Sequence, residues 1–388
     1  MSPLVFGSDP EPQGETDMRQ REVIADGQSG AQGDPVPGNR ALKVAADKLV
    51  QETGINSTDP GIAVLAMRPG RILLMEGYGL ADLATGEAIT SCTRFELASA
   101  SKPITATAVL ILQERGLLSI DDDVRKFIPE LPRYPDGPLR IRDMLHHVSG
   151  LTNYLELEAV PKSNETYWTN TDYLAALGKA PLEFPIGQRF EYNNTNYMLM
   201  AIVIERVARK PFGDVLRDDI FVPAGMMNTF VYSDPASTPA NAASPCNNAI
   251  GYEQENGDWV ARWGFPPRHR QPEHLEFGDG AIWSNLEDMA KWDAAVRSNK
   301  LIKPATMKAA LTGSPKGKTY GLGWYLYHDE DSLYGFGHDG YWEGFSTLYY
   351  NYLTDNHSVV LLSNRGHAID LNAFWAKLKG LIETHARE

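Results

Sequence analysis

Cysteine, cationic charge and long apolar runs are what this 388-residue chain has little of. The two cysteines, Cys92 and Cys246, are too few for a disulfide framework or a thiolate metal set, and they form one bridge or none. The redox compartment therefore stays open. Lysine and arginine number 36 against 50 aspartates and glutamates, a net charge of -14, which argues against nucleic acid or an anionic membrane surface as partner. No uncharged apolar run approaches the roughly 20 residues that a membrane-spanning helix needs. No spacing of histidine, cysteine and carboxylate marks a metal site, and no motif implies an organic cofactor.

What is present is the composition of an ordinary globular protein. At 43% hydrophobic residues the chain can bury a sizeable core, in one large domain or two to three small ones. Residues 1–39 are rich in Gly, Pro, Gln, Asp and Ser without apolar periodicity, so a disordered tail is expected there. This tail lacks the basic and apolar regions of a secretory signal. A cytoplasmic location is expected for the sequence as it stands, and a periplasmic or secreted one if a leader has been removed. The oligomeric state leaves no mark on the sequence.

The most informative stretch runs from Phe95 through Ser99 and Lys102 to Gln113. From Ile104 onward it is apolar over more than two turns, which predicts a helix buried on nearly every side. Pro103 is tolerated only in a first turn, so the helix begins near Ser99. Ser99 and Lys102, three apart, then share a face and bring an amine to a hydroxyl. A lysine held against a buried helix loses its charge more readily and can take a serine proton. Alone, a serine before a helix is more often an N-cap than a nucleophile.

Elsewhere, helical spacing marks residues 41–53, 124–129, 141–147, 198–209, 212–220, 285–296 and 371–384. Strands are expected at 61–67, 71–78, 320–327, 345–352 and 358–363. Residues 235–272 read as a long polar and aromatic loop on the substrate side. His146 and His147 are adjacent, point apart on a helix and lack partner ligands, so both receive structural roles. Tyr192 and Asn194 fall on a loop before a helix, a place that presents side chains to a cleft. Glycines around His338 (Gly335, Gly337, Gly340, Gly344) mark a bulge or a backbone that something approaches closely. Strands at both ends and helices between them predict an α+β fold with a helical region inserted.

Ser99-x-x-Lys102, Tyr192-x-Asn194 and His338-Asp339-Gly340, in that order, resemble the three motifs of the serine β-lactamase and penicillin-binding-protein superfamily. The likeness is strongest to its class C β-lactamase and family VIII esterase branch. Further segments look like family signatures: Leu145 to Leu151, Gly278-Asp279-Gly280 with Trp283-Ser284, and Gly337 to Ser346. The resemblance implies an antiparallel sheet flanked by terminal helices, with an α/β part at about 40–92 and 316–388 and a helical part at about 93–315. It implies a nucleophilic Ser99 that forms an acyl-enzyme, with Lys102 and Tyr192 sharing the proton work. Tyr192 is the expected base, its phenol lowered by Lys102. Asn194 would bond Lys102 or the substrate, and the Ser99 and edge-strand Tyr341 amides would form the oxyanion hole. His338 and Asp339 stand where lactamases usually carry lysine and a hydroxyl residue. That departure disfavours an anionic substrate, although some D,D-peptidases of the superfamily also use histidine there. The expected substrate is a small carboxylic ester, with a β-lactam, a D,D-peptide or a D-amino amide as alternatives. A non-catalytic ligand-binding member is the more remote reading.

Overall fold

The computed structural model describes residues 37–157, 168–232, 246–264, 274–275, 277–330 and 332–385. In chain order its main elements are helix α1 (Pro37–Glu52), strands β1 (Ile62–Arg68) and β2 (Arg71–Tyr78), and helices α2 (Lys102–Glu114), α3 (Asn194–Ala208) and α4 (Leu286–Arg297). Strands β3 (Tyr325–Asp329), β4 (Ser332–Trp342), β5 (Phe345–Tyr352) and β6 (His357–Ser363) follow, and helix α5 (Leu371–His385) closes the chain. The expected tail at 1–36 lies outside the described residues. Residues 37–39, assigned to that tail, instead begin α1, where a proline is well placed because its missing N–H would be an orphan anyway.

The strands form a six-stranded antiparallel sheet in the order β3-β4-β5-β6-β1-β2. Both ends of the chain thus meet in one sheet, with β6 beside β1. Alternation sorts the side chains of β1 onto two faces. Ile62, Val64 and Ala66 join the aliphatic core under α1 and α5, with Leu49, Leu361, Phe374 and Leu378. Ala63, Leu65 and Met67 join the larger core shared with α2, α3 and α4. Helix α2, as its uninterrupted apolar run predicts, is buried from Lys102 to Leu112 and packs against α3.

The inserted region is mostly helical and carries small sheets as well. Strand Ile282–Ser284 pairs with Phe95–Glu96 and with Phe230–Val231. Within the stretch expected to be one long loop, Ile250–Glu255 and Asp258–Gly264 form a hairpin, while residues 233–245 and 265–273 lie outside the described residues. Its turn is Asn256-Gly257, both at positive φ (52° and 95°), the conformation a two-residue hairpin demands. Cys92 and Cys246, 154 residues apart, form a disulfide.

The site is positioned by two features of this framework. A bend at residues 321–323 lies beneath α2: at Gly323 (φ 87°) a Cβ would come within 2.7 Å of the Ala106 Cβ. Strand β4 is longer than its outer neighbour, because β3 pairs only from Ser332 to Gly337. The expectation of an edge strand is therefore corrected: β4 is second from the edge, but its segment 338–342 has no partner strand on that side.

Candidate active site

The turn carrying Ser99 lies against that uncovered segment of β4. A single 3-10 turn, Ala98–Ser101, precedes α2, and Ala98 sits in the left-handed region at φ 47°. Backbone strain of this kind in a non-glycine residue persists only where the surroundings impose it. The surroundings do so here. Leu97 donates its amide to the Ile282 carbonyl (2.8 Å), and Thr347 of β5 donates to the Leu97 carbonyl (2.7 Å). At Gly340 a Cβ would lie 2.6 Å from the Leu97 oxygen and 2.7 Å from the Ser99 nitrogen, so only glycine lets the strand come this close.

Lys102, fully buried, donates to the Ser99 Oγ at 2.8 Å and to the Asp279 carbonyl at 2.9 Å. The sharing of a face predicted from spacing becomes a direct hydrogen bond. Burial pulls the amine down to about 8, opposed by the negative charges of Asp279 and Asp339. Its Nζ also lies 5.0 Å from the Tyr192 ring centroid and 5.9 Å from that of Tyr197.

Tyr192 departs from its expectation. Burial pushes its phenol well above the usual range, with the Ser99 hydroxyl acting against that rise, so the nearby cation does not produce a lowered phenol. Ser99 thus has both Lys102 and the Tyr192 hydroxyl as hydrogen-bonding neighbours. Asn194 is also placed differently from the loop position read in the sequence: α3 begins at Asn194, and Asn193 caps it by accepting from the Thr195 amide (2.9 Å). Lys102 bonds Ser99 and Asp279, while the buried Asn194 Oδ1 has no hydrogen-bond partner among the described residues.

His338 is buried and its hydrogen bonds define its state. Nδ1 can only donate to the Asp339 carbonyl (2.6 Å), so Nε2 accepts from the Tyr320 hydroxyl (3.0 Å). Both nitrogens are satisfied in the neutral ring, and burial beside Lys102 holds its pKa down at about 3. Asp339 is exposed on β4, and its charge acts on both Lys102 and Tyr192. Tyr341 is 41% exposed and its hydroxyl donates to Glu253 of the hairpin (2.7 Å).

Three further residues complete the wall. His147, at φ 57° and fully buried, accepts the Asn193 amide (3.0 Å) and the Asn196 side chain (3.1 Å) at Nδ1. Its ring lies 4.5 Å from Tyr192 and 4.7 Å from Tyr320. It therefore ties the Tyr192 loop to α3, a structural role, as expected, but one inside the site. Tyr320 links His147 to His338. Asp279 is 7% exposed and accepts the Tyr154 hydroxyl at Oδ2 (2.9 Å). The sequence held no signal for these contacts beyond the family-like segments around Leu145 to Leu151 and Gly278 to Gly280. Among the described residues no group of three or more His, Cys, Asp or Glu is arranged to hold a metal ion, and no helix is long and apolar enough to cross a membrane.

Known proteins resemble this chain. Residues 46–382 match the family model described as Beta-lactamase. Penicillin-binding protein 4* of Bacillus subtilis is 29% identical over 315 residues, which cover 78% of this chain and 67% of that one. The chain spans 59–67% of the length of the curated relatives it matches. Two solved structures have the same fold. The penicillin binding protein from Bacillus halodurans superposes with a TM-score of 0.72 at 24% identity, covering 87% of this chain and 98% of that one. EstCE1, a hydrolase with promiscuous acyltransferase activity, gives 0.70 at 22%, covering 89% and 99%. With all but its two ends matched and a serine bonded to a buried lysine at the head of α2, the chain belongs to the beta-lactamase family and is a serine hydrolase.

Proposed function

We propose that this enzyme hydrolyses small, uncharged or amine-bearing carboxylic esters through an acyl-enzyme on Ser99. Neutral Lys102 accepts the Ser99 proton across their 2.8 Å hydrogen bond as Oγ attacks the ester carbonyl. The amides of Ser99 and Tyr341 receive the developing oxyanion, an assignment supported by the contact of Gly340 with the Ser99 nitrogen. The proton on Lys102 then passes to the departing alkoxide, with the Tyr192 hydroxyl as relay, and the alcohol leaves. In the second half a water gives its proton to the same pair, its oxygen attacks the acyl carbon, and Ser99 recovers a proton as the carboxylic acid departs.

The observation that carries the ester reading is the pair His338 and Asp339. A site that binds a carboxylate needs a cation, and here the buried ring is neutral while the exposed neighbour is acidic. An anionic β-lactam or peptide terminus would meet no cation at position 338 and a repulsive charge at Asp339. The likeness to EstCE1 supports the same reading.

The test is hydrolysis of p-nitrophenyl butyrate, nitrocefin and D-alanine p-nitroanilide side by side, with Ser99→Ala as control. Ester turnover well above the other two, abolished in Ser99→Ala, is the expected result. If nitrocefin or the anilide is turned over faster, the acyl-enzyme stands and the ester assignment falls. If none is turned over and no serine adduct forms, the chain is a binding protein.

A further inference from the structure

Two carboxylates act on Lys102, and they differ in how they are held. Asp339 is exposed on β4, whereas Asp279 is 7% exposed on a bend, 278–281, braced from three elements. Thr105 of α2 donates to the Gly278 carbonyl (2.6 Å), and Glu96 accepts the Ala281 amide (3.2 Å). At Gly278 (φ 110°) a Cβ would lie 2.4 Å from the Tyr197 carbonyl, so the bend lies flat on α3. Ala281 is left-handed, at φ 67°.

On this bend Asp279 meets Lys102 twice. Its carbonyl accepts the Nζ at 2.9 Å, and its carboxylate favours the charged amine. A backbone carbonyl needs no acid to accept that bond, so the shape of the bend does not account for the carboxylate. The carboxylate is also incompletely satisfied. Tyr154 donates to Oδ2 (2.9 Å), but Oδ1 is buried without a hydrogen-bond partner among the described residues. Burial raises the Asp279 carboxyl, and the Lys102 amine and the Tyr154 hydroxyl act against that rise, so its charged form depends on the cation beside it.

We propose that Asp279, braced by Tyr154, is the buried counter-charge of Lys102: a positioning residue that keeps a proton on the resting amine and so sets the pH above which Lys102 can accept the Ser99 proton. The inference rests on the Ser99–Lys102 reading above. The other titratable groups around Lys102 do not supply this charge. His338 from β4 is held neutral by burial and by Lys102, and His147, from the turn after the 141–145 helix, is held far below its usual range by the same two causes. Tyr192, Tyr197 and Tyr320 are phenols raised by burial. Asp339 has the right sign, but water screens an exposed carboxylate.

The experiment is the rate of Ser99 labelling by a fluorophosphonate as a function of pH. In this reaction the Ser99 oxygen bonds to phosphorus, fluoride leaves and Lys102 takes the proton, so the readout does not depend on which ester is the natural substrate. Wild-type labelling should rise through a midpoint near 8. Asp279→Asn, equal in shape, should move that midpoint down by about half a unit or more. Tyr154→Phe should move it the same way by less, because the carboxylate loses the bond that favours its charged form. Asp339→Asn should move it least. An unmoved midpoint in Asp279→Asn, or in Tyr154→Phe should the first variant not fold, overturns the inference and leaves the nucleophile intact. Absence of labelling in the wild type overturns the nucleophile and this inference with it.

Discussion

The two faces of the six-stranded sheet bury different chemistry. Beneath α1 and α5 the filling is hydrocarbon and aromatic: Leu42, Leu49, Val64, Leu361, Phe374 and Leu378, with His357 stacked on Tyr352. On the opposite side, where α2 and the end of β4 meet, Lys102, Asp279, His147, His338 and Asn196 are all nine-tenths or more buried. The first arrangement gains stability from every apolar surface removed from water. The second keeps polar groups out of water and compensates them in part, Lys102 with Ser99 and Asp279, His338 with Tyr320, His147 with Asn193 and Asn196, while His147 Nε2, Asn196 Oδ1 and Asp279 Oδ1 have no hydrogen-bond partner among the described residues. Non-glycine residues in the left-handed region flank this second cluster, at Ala98, His147 and Ala281. A frame of one kind holds a site of the other, and strain accumulates where the two are joined.

That division can be broken at defined points. Ser99→Ala should lower ester turnover on the order of 10⁴-fold or more while shifting the thermal midpoint little, since one hydroxyl leaves and no cavity forms. Activity and melting measured on one preparation check this. A large loss of stability instead would mean that Ser99 belongs to the frame. Leu378→Ala, on the hydrocarbon face, should do the reverse. It should remove about 2–5 kcal/mol of stability in denaturant titration and leave kcat unchanged in the folded fraction.

Gly340→Ala tests the seam between the two regions. Its methyl group would strike the Ser99 nitrogen and the Leu97 oxygen, so kcat/KM should fall about 100-fold by displacement of the nucleophile. Overpacking should take about 1–3 kcal/mol of stability as well. A variant that is destabilised yet fully active would separate the strand from the oxyanion site. The mildest perturbation is pH. Lys102 must be neutral to accept a proton and its pKa is about 8, so kcat/KM should climb about tenfold per unit below that value and level off above it. A profile already flat from pH 6 upward would remove Lys102 as the base.

Much of this was legible before any coordinates. An apolar run broken by Pro103 specifies a buried helix starting close to Ser99, and side-chain spacing then brings Lys102 to it. Alternation and chain position placed β1, β2, β5 and β6 to within a residue, began β3 five residues early and assigned no range to β4, and the family-like motifs named the fold. The hairpin at 250–264 was missed although Asn256-Gly257 is a strong local signal, because its strands lie in a long aromatic and polar stretch whose alternation is weak. Starts of helices at Pro37 and Asn194 were placed too late for a related reason: caps depend on backbone geometry that composition does not report.

The sequence by itself determined the helix that follows Ser99, the α+β arrangement of the chain and the residue types gathered at the candidate site. These follow from periodicity, from the restrictions of proline and from local spacing. Tertiary structure alone decided their electrical state. Lys102 is lowered because the whole of α2 is buried. Tyr192 is raised rather than lowered because burial outweighs the hydrogen bond from Ser99. His338 is neutral because it is buried beside Lys102, and Tyr320, 18 residues earlier, shares a hydrogen bond with its ring. Asp279 reaches Lys102 from 177 residues away, and Cys246 reaches Cys92 from 154. Desolvation and pairing depend on which distant segments close over a group, and no local pattern in the chain encodes that.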